Sequence, residues 1–312
     1  MTPESTPDSN IKKFSPVLPL LGIAAIDIFT PFLPVNSQIM AVLLGVSLTL
    51  VYVACIVLFA LGIARREFPI PIAAIMCAVC VLAWCGVEYG MQPRLDDFMR
   101  LVRQTGAQLT TTQQFTLVYV SALRDLALIS GASFIGALLA RGIRFANMLG
   151  PISIIIALID IWGVMFGGIV SQMMTNKATQ HIAAKALTSG PQIGAVGASS
   201  PQFAVPLPNV GIGDFLFMAL LLCVLVNLKM NWKLSAQLMG IFVAIALLGI
   251  TFLPFFPHLP GLVFIGAGAV LPNLKYFSYT REEKFALLWA VLLVSILMPV
   301  LYFVFKASVP AS

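Results

Sequence analysis

The chain has 312 residues, of which 60% are hydrophobic types and only 10% are charged, with a mean hydropathy of +0.99; soluble domains carry about 45–50% apolar and 25% charged residues. These values exclude a soluble core, a disordered chain and a nucleic-acid-binding domain, and the length allows roughly eight to ten membrane spans of about 20 residues. The 18 Lys and Arg against 12 Asp and Glu are then expected to orient loops rather than to bind polyanions.

Residues 1–13 form a polar tail that ends in Lys12 and Lys13. The apolar run after it lacks a small-residue cleavage site and is expected to be a retained span. Apolar segments follow one another at 14–35, 39–64, 69–89, 115–140, 146–172, 210–228, 234–254, 259–274 and 284–306. The expected fold is all-α, a polytopic transmembrane helix bundle of about nine spans. The first segment, with Pro16, Pro19, Pro31 and Pro34, and the short eighth are open to being broken or re-entrant. The chain divides into the tail, a four-span part at 14–140, a part at 141–280 with a Gly/Ser/Pro-rich loop at 173–209, and a C-terminal span and tail at 281–312. The other long connection is 90–114.

With a cytoplasmic N-terminus, the inside would hold Lys12, Lys13, Arg65, Arg66, Arg141, Arg144, Lys229, Lys233, Lys275, Arg281 and Lys284. The outside would hold Arg94, Arg100, Arg103, Lys177, Lys185 and Lys306, and Arg124 is intramembrane. The bias favours the N-terminus in and the C-terminus out, and places 173–209 outside if the first segment spans. No Asn-x-Ser/Thr sequon occurs, which fits a prokaryotic cytoplasmic membrane. Cys55, Cys77, Cys80, Cys85 and Cys223 all lie in apolar runs. Cys77-x-x-Cys80 has no second pair and no nearby His, so packing is the expected role.

An acid at a helix centre costs roughly 2.5–3.5 kcal/mol on insertion scales, so each needs a partner, a proton or a function. Asp27, Glu88, Asp125, Asp160 and Asp214 are the acids concerned. Glu88 is expected to be hydrated at a span end, and Arg124 to balance the local charge, either in a structural contact with Asp27 or in transport. Asp160 is 16 residues from Arg144 and Asp214 is 15 from Lys229, which puts both roughly 22–24 Å from the cytoplasmic surface. Asp27 and Asp125 share a level as well, so depth permits a dyad without selecting one. The surroundings of Asp214 do more. Pro206, Pro208, Asn209, Gly211 and Gly213 precede it; the glycines tolerate close backbone approach, and a helix starting near Asn209 would hold Asp214 at its positive end. Two carboxylates so placed can share a proton and activate water.

Ile159-Asp160-Ile161-Trp162, then Gly211-Ile212-Gly213-Asp214-Phe215, then Leu259-Pro260-Gly261-Leu262 resemble the presenilin and signal peptide peptidase family of intramembrane aspartyl proteases. That family carries Tyr-Asp, Gly-x-Gly-Asp and Pro-Ala-Leu on successive catalytic spans. The resemblance covers residues 150–275. It implies Asp160 and Asp214 as catalytic residues and Gly211, Gly213, Pro260, Gly261 and Leu262 as substrate-binding positions. The substrate would be a transmembrane helix or signal peptide within the lipid bilayer, with no metal or organic cofactor. Ile159 stands where the family has Tyr, and Gly261 where it has Ala. Four segments precede the first catalytic span and one follows the third motif, where the family usually has five and none. Prepilin peptidases share Gly-x-Gly-Asp but have a Lys where this chain has Leu216. In this reading the stretch from Thr188 to Pro208 would be a lid or docking strand, with Gln202 to Pro206 extended. Trp162, Trp232 and Trp289 would be packing or interfacial anchors. The alternative classes are a proton- or ion-coupled transporter using Asp27, Arg124, Asp125, Asp160 and Asp214 around broken helices, and an inactive relative.

Overall fold

A computed structural model describes residues 15–66, 68–95, 97–98, 110–165, 187–188, 192–194, 205–206, 210–252 and 259–308. Among these there are nine α-helices, one in each expected apolar segment. They are α1 (Val17–Phe29), α2 (Gln38–Arg66), α3 (Ile70–Cys85), α4 (Thr111–Leu139), α5 (Leu149–Met165), α6 (Ile212–Asn227), α7 (Trp232–Phe252), α8 (Gly261–Val270) and α9 (Arg281–Ser308). By length and composition five helical stretches can cross a membrane: Gln38–Arg66, Ile70–Leu95, Thr111–Gly142, Ala146–Val164 and Trp232–Ile250. The chain is thus a multi-pass integral membrane protein.

Three apolar helices are shorter, and their lengths follow from the sequence. Pro31 limits α1, which closes in a 3-10 turn at Thr30–Phe32, because proline has no N–H to continue an α-helix. The helix α6 begins at Ile212, and α8 begins at Gly261 and runs into a 3-10 segment at Leu271–Tyr276. At 1.5 Å per residue α6 is about 24 Å long and α8 about 15 Å, so both start within the bundle.

The helix α6 is the axis of the bundle. It packs on α4, α2, α8 and α7, and Phe215 and every residue from Met218 to Leu225 are buried. A helix that is apolar on all sides, with no charge between Asp214 and Lys229, suits that position. The close crossing of α4 and α6 depends on Gly136: a Cβ there would meet the Leu216 carbonyl oxygen and lie 2.9 Å from the Leu220 nitrogen. Gly268 plays the same part between α8 and α7, where a Cβ would stand 2.7 Å from the Met239 nitrogen. Small residues at such crossings are the usual means by which membrane helices approach. The outer helices α3 and α9 instead expose large apolar side chains, among them Leu82, Leu288, Trp289 and Leu293, as a lipid-facing surface requires.

At one end of the bundle the turns are tied to each other. Arg141 donates to the Phe68 carbonyl, Arg65 stacks over the Trp232 ring at 5.1 Å, and the Asn231 N–H donates to Asn273 Oδ1 at 2.8 Å. Asn147 Nδ2 donates to the Ser278 carbonyl. These turns carry Arg65, Arg66, Arg141, Arg144, Lys229, Lys233, Lys275 and Arg281, so the cations expected on one side share one end. Trp232 anchors this end, with Lys233 also against its ring, and Trp289 is exposed. The five cysteines are free thiols; four are half-buried and Cys223 is buried.

Four two-residue strands complete the fold: β1 (Leu187–Thr188), β2 (Gln192–Ile193), β3 (Val205–Pro206) and β4 (Val210–Gly211). β1 pairs with β4 and β2 with β3, both antiparallel and in one common register. The expected extended piece is therefore found at Val205–Pro206; Gln202, and Lys177 and Lys185 before it, lie outside the described residues. Near β2 the Gly194 N–H donates to the Thr30 carbonyl, and Ile193 is buried against Val35 and Ala41.

Replacing Gly136 by Leu should lower the stability of the detergent-solubilised protein by at least about 2 kcal/mol, because backbone on α6 blocks the new side chain. Gly142→Ala, where nothing lies within 4 Å, should leave the melting temperature unchanged.

Candidate active site

The first four N–H groups of a helix have no partner within it, and α6 and α8 each begin with a half-buried turn. Each start is served by an aspartate. Gly211 is the N-cap of α6, in extended conformation at φ −71 and ψ 146. Asp214 is the third helical residue, and its carboxyl lies back toward the Gly211 cap, 3.6 Å from where a Cβ on Gly211 would stand. An acid at this position of a helix is placed to interact with the cap backbone. The helix expected to start near Asn209 begins at Ile212, after strand β4 at Val210–Gly211, and Asp214 is in its first turn; Asn209 itself lies outside the described residues. The pairing of Gly211 with Leu187 holds the chain extended up to the cap.

The second start is built by three consecutive residues. Pro260 is the N-cap of α8, Gly261 its first residue, and the Leu262 N–H donates to Asp160 Oδ2 at 2.8 Å. Asp160, in the middle of α5, therefore caps a different helix. On the neighbouring residue a Cβ at Gly261 would lie 2.8 Å from Asp214 Oδ1 and 3.1 Å from Oδ2. The two carboxylates thus converge on Gly261–Leu262, close enough to feel each other's charge. Both are half-buried.

Of the positions singled out in the sequence, Asp160, Asp214, Gly211, Gly261 and Leu262 are brought together, with Pro260 buried beside them. The roles of the glycines differ from expectation. A Cβ on Gly211 would be 3.6 Å from Asp214 Oδ2, an ordinary contact, and one on Gly213 would meet nothing within 4 Å. Close approach is required instead at Gly261, where the Asp214 carboxyl occupies the space of a side chain. Beside Asp214 is a cavity of about 70 Å³, lined by Val53 and Ile56 of α2, Met218 of α6, Leu247 and Ile250 of α7, and Leu259 among others. Among the described residues Asp214 is its one polar lining side chain. Nothing in the unbroken apolar run of α2 marked Val53 and Ile56 in advance.

The other acids lie on different helices. Glu88 is buried at 5% exposure in a π-helical turn, Gly86–Met91, rather than hydrated at a span end. Arg124 does not reach Asp27: its Nε and Nη2 donate to Asp125 Oδ1 at 3.2 and 3.1 Å. Tyr52, which the sequence reading passed over, is buried within electrostatic reach of Asp27 and Asp125. A phenol in the centre of the apolar 39–64 run was the available signal.

In comparisons with known proteins, no family model matches the chain, and neither the curated proteins nor the solved structures give a match.

Because Asp160 caps α8, Asp160→Asn, which keeps an acceptor oxygen, should be more stable than Asp160→Ala by about 1–3 kcal/mol, the cost of a buried unpaired donor. Parallel unfolding titrations of the two variants in detergent measure this directly.

Proposed function

We propose that the chain is an intramembrane aspartyl protease that hydrolyses peptide bonds within transmembrane segments or signal peptides. The convergence of Asp160 and Asp214 on the start of α8 carries this reading. Two acids on separate helices, held at one point inside an apolar bundle and both partly accessible, suit general acid–base chemistry on a water molecule. One carboxylate takes a proton from the attacking water while the other, protonated, gives its proton to the carbonyl oxygen; as the tetrahedral diol collapses the roles exchange, the first passing the water proton to the leaving amine and the second taking a proton back from a diol hydroxyl. The two share the proton as a pair, with no fixed owner. No metal or organic cofactor enters this chemistry.

A transmembrane substrate hides its amides in its own helix, and unwinding it in lipid leaves N–H and C=O groups without partners. The β1–β4 pair ends at Gly211, so an extended substrate adding to these strands would have its backbone paired and its scissile bond delivered to Asp214. Open space at Gly213 lets a backbone pass, and the apolar cavity beside Asp214 would accept an aliphatic or aromatic substrate side chain. The shared cationic end, with Arg65, Arg141, Lys229 and Lys275, supports a cytoplasmic position for that end and an N-terminus inside a prokaryotic membrane. The acids then lie about 20–24 Å from it along α5, α6 and α8.

Asp160→Ala and Asp214→Ala should each reduce cleavage of a tagged transmembrane reporter in proteoliposomes by at least about 100-fold, with expression intact. Full activity in either variant contradicts the dyad. Gly261→Val should displace the Asp214 carboxyl and cost about 100-fold, whereas Gly213→Ala should keep most of the activity because the added methyl meets open space.

A further inference from the structure

A second group of ionisable side chains lies on α1, α2 and α4, the helices that contribute no acid to the Asp160 and Asp214 site. Asp27 is 7% exposed, and neither carboxylate oxygen has a hydrogen-bond partner among the described residues. Asp125, at 2% exposure, and Tyr52, at 4%, are within electrostatic reach. We infer that Asp27, with Asp125 and Tyr52, forms a binding site for one small monovalent cation, either a proton or Na⁺.

Charge balance sets the valence. The Arg124 guanidinium is directed at Asp125 Oδ1, so Asp125 already faces one positive charge, whereas the Asp27 carboxylate accepts no hydrogen bond from the described residues. Its position sharpens the need: Asp27 lies in the last turn of α1, at the negative end of the helix, where a carboxylate is disfavoured. The nearest hydroxyl on its own element, Thr30, donates instead to the Ile26 carbonyl at 2.6 Å. An unpaired buried carboxylate is costly in such surroundings, and one positive charge restores neutrality where a divalent ion would reverse it. Packing sets the size. Ile23, Ile26, Tyr52 and Asp125 are all buried, and a bare ion is the smallest charge that such packing can admit. The titratable and charged groups on the helices packed on α1 are Tyr52, Cys55, Arg65 and Arg66 of α2 and Tyr119, Arg124 and Asp125 of α4; the Cys55 thiol faces Gly22, more than one helical turn from Asp27, and Arg65 is held over the Trp232 ring.

The test uses the full chain carrying Asp160→Asn and Asp214→Asn, so that the candidate active-site acids contribute nothing. Its thermal unfolding is followed in detergent in NaCl against choline chloride at constant ionic strength, and across pH, beside the same protein with Asp27→Asn. For sodium, the parent should gain stability with rising NaCl and not with choline, and Asp27→Asn should abolish the gain. For a proton, stability should be sodium-independent and rise as the pH falls, and the infrared carbonyl band of a protonated carboxylic acid should be lost in Asp27→Asn. If Asp27→Asn fails to accumulate, Tyr52→Phe should shift the midpoint of whichever response the parent shows. A parent that responds to neither series and shows no such band overturns the site, as does a response that Asp27→Asn, or in its place Tyr52→Phe, leaves unaltered. Cleavage activity plays no part, so the result stands apart from the proteolytic reading.

Discussion

Two helices that begin inside an apolar bundle leave their first N–H groups without partners of their own, and side chains placed at those starts can satisfy them. Asp214 turns back on the cap of its own helix, and Asp160 reaches across to the start of α8. The remainder of the site follows from these two attachments. A carboxylate that caps a helix is fixed in position, and two that cap neighbouring starts are fixed relative to each other. Their arrangement needs no third group to orient them. Gly261 is small because the Asp214 carboxyl stands where its side chain would be.

The architecture around this point serves to hold α6 still. It is enclosed by α2, α4, α7 and α8, and its contact with α4 is close enough that Gly136 admits no side chain. At the far end of α6, Lys229 and the turns that carry Arg65, Arg141 and Asn273 are joined by hydrogen bonds and by the Arg65–Trp232 stack. The cavity beside Asp214 is walled by Val210 and Leu259 among others, next to the β1–β4 pair.

Much of this was legible in the sequence. Every apolar run became a helix, because long stretches without charge leave the backbone no other way to satisfy itself in lipid. Asp160 and Asp214 could be placed at a common depth from residue counts to Arg144 and Lys229, and Pro260-Gly261-Leu262 could be attached to them by resemblance. What counting could not supply was contact across helices. The Leu262 amide that binds Asp160, the side-chain-sized space at Gly261, and Val53 and Ile56 in the cavity wall all depend on which faces of α2, α5 and α8 turn toward α6. Helix periodicity is silent on this when a helix is apolar on every face. Glu88 was misjudged for a related reason: it sits near the end of an apolar run, yet the π-helical turn carries it into the protein. Arg124 was placed against Asp27 because neighbours on a helix diverge, but its long side chain folds back to Asp125.

Hydrolysis by water held between Asp160 and Asp214 is tested most directly by cleaving a transmembrane reporter in proteoliposomes prepared in ¹⁸O-labelled water and weighing the fragments by mass spectrometry. The account predicts a cut inside the apolar span, with label from water in the newly formed carboxylate, and no such fragment when Asp160 and Asp214 are both changed to Asn. Intact reporter from the unaltered protein, or the same labelled fragment from the doubly substituted one, would contradict it.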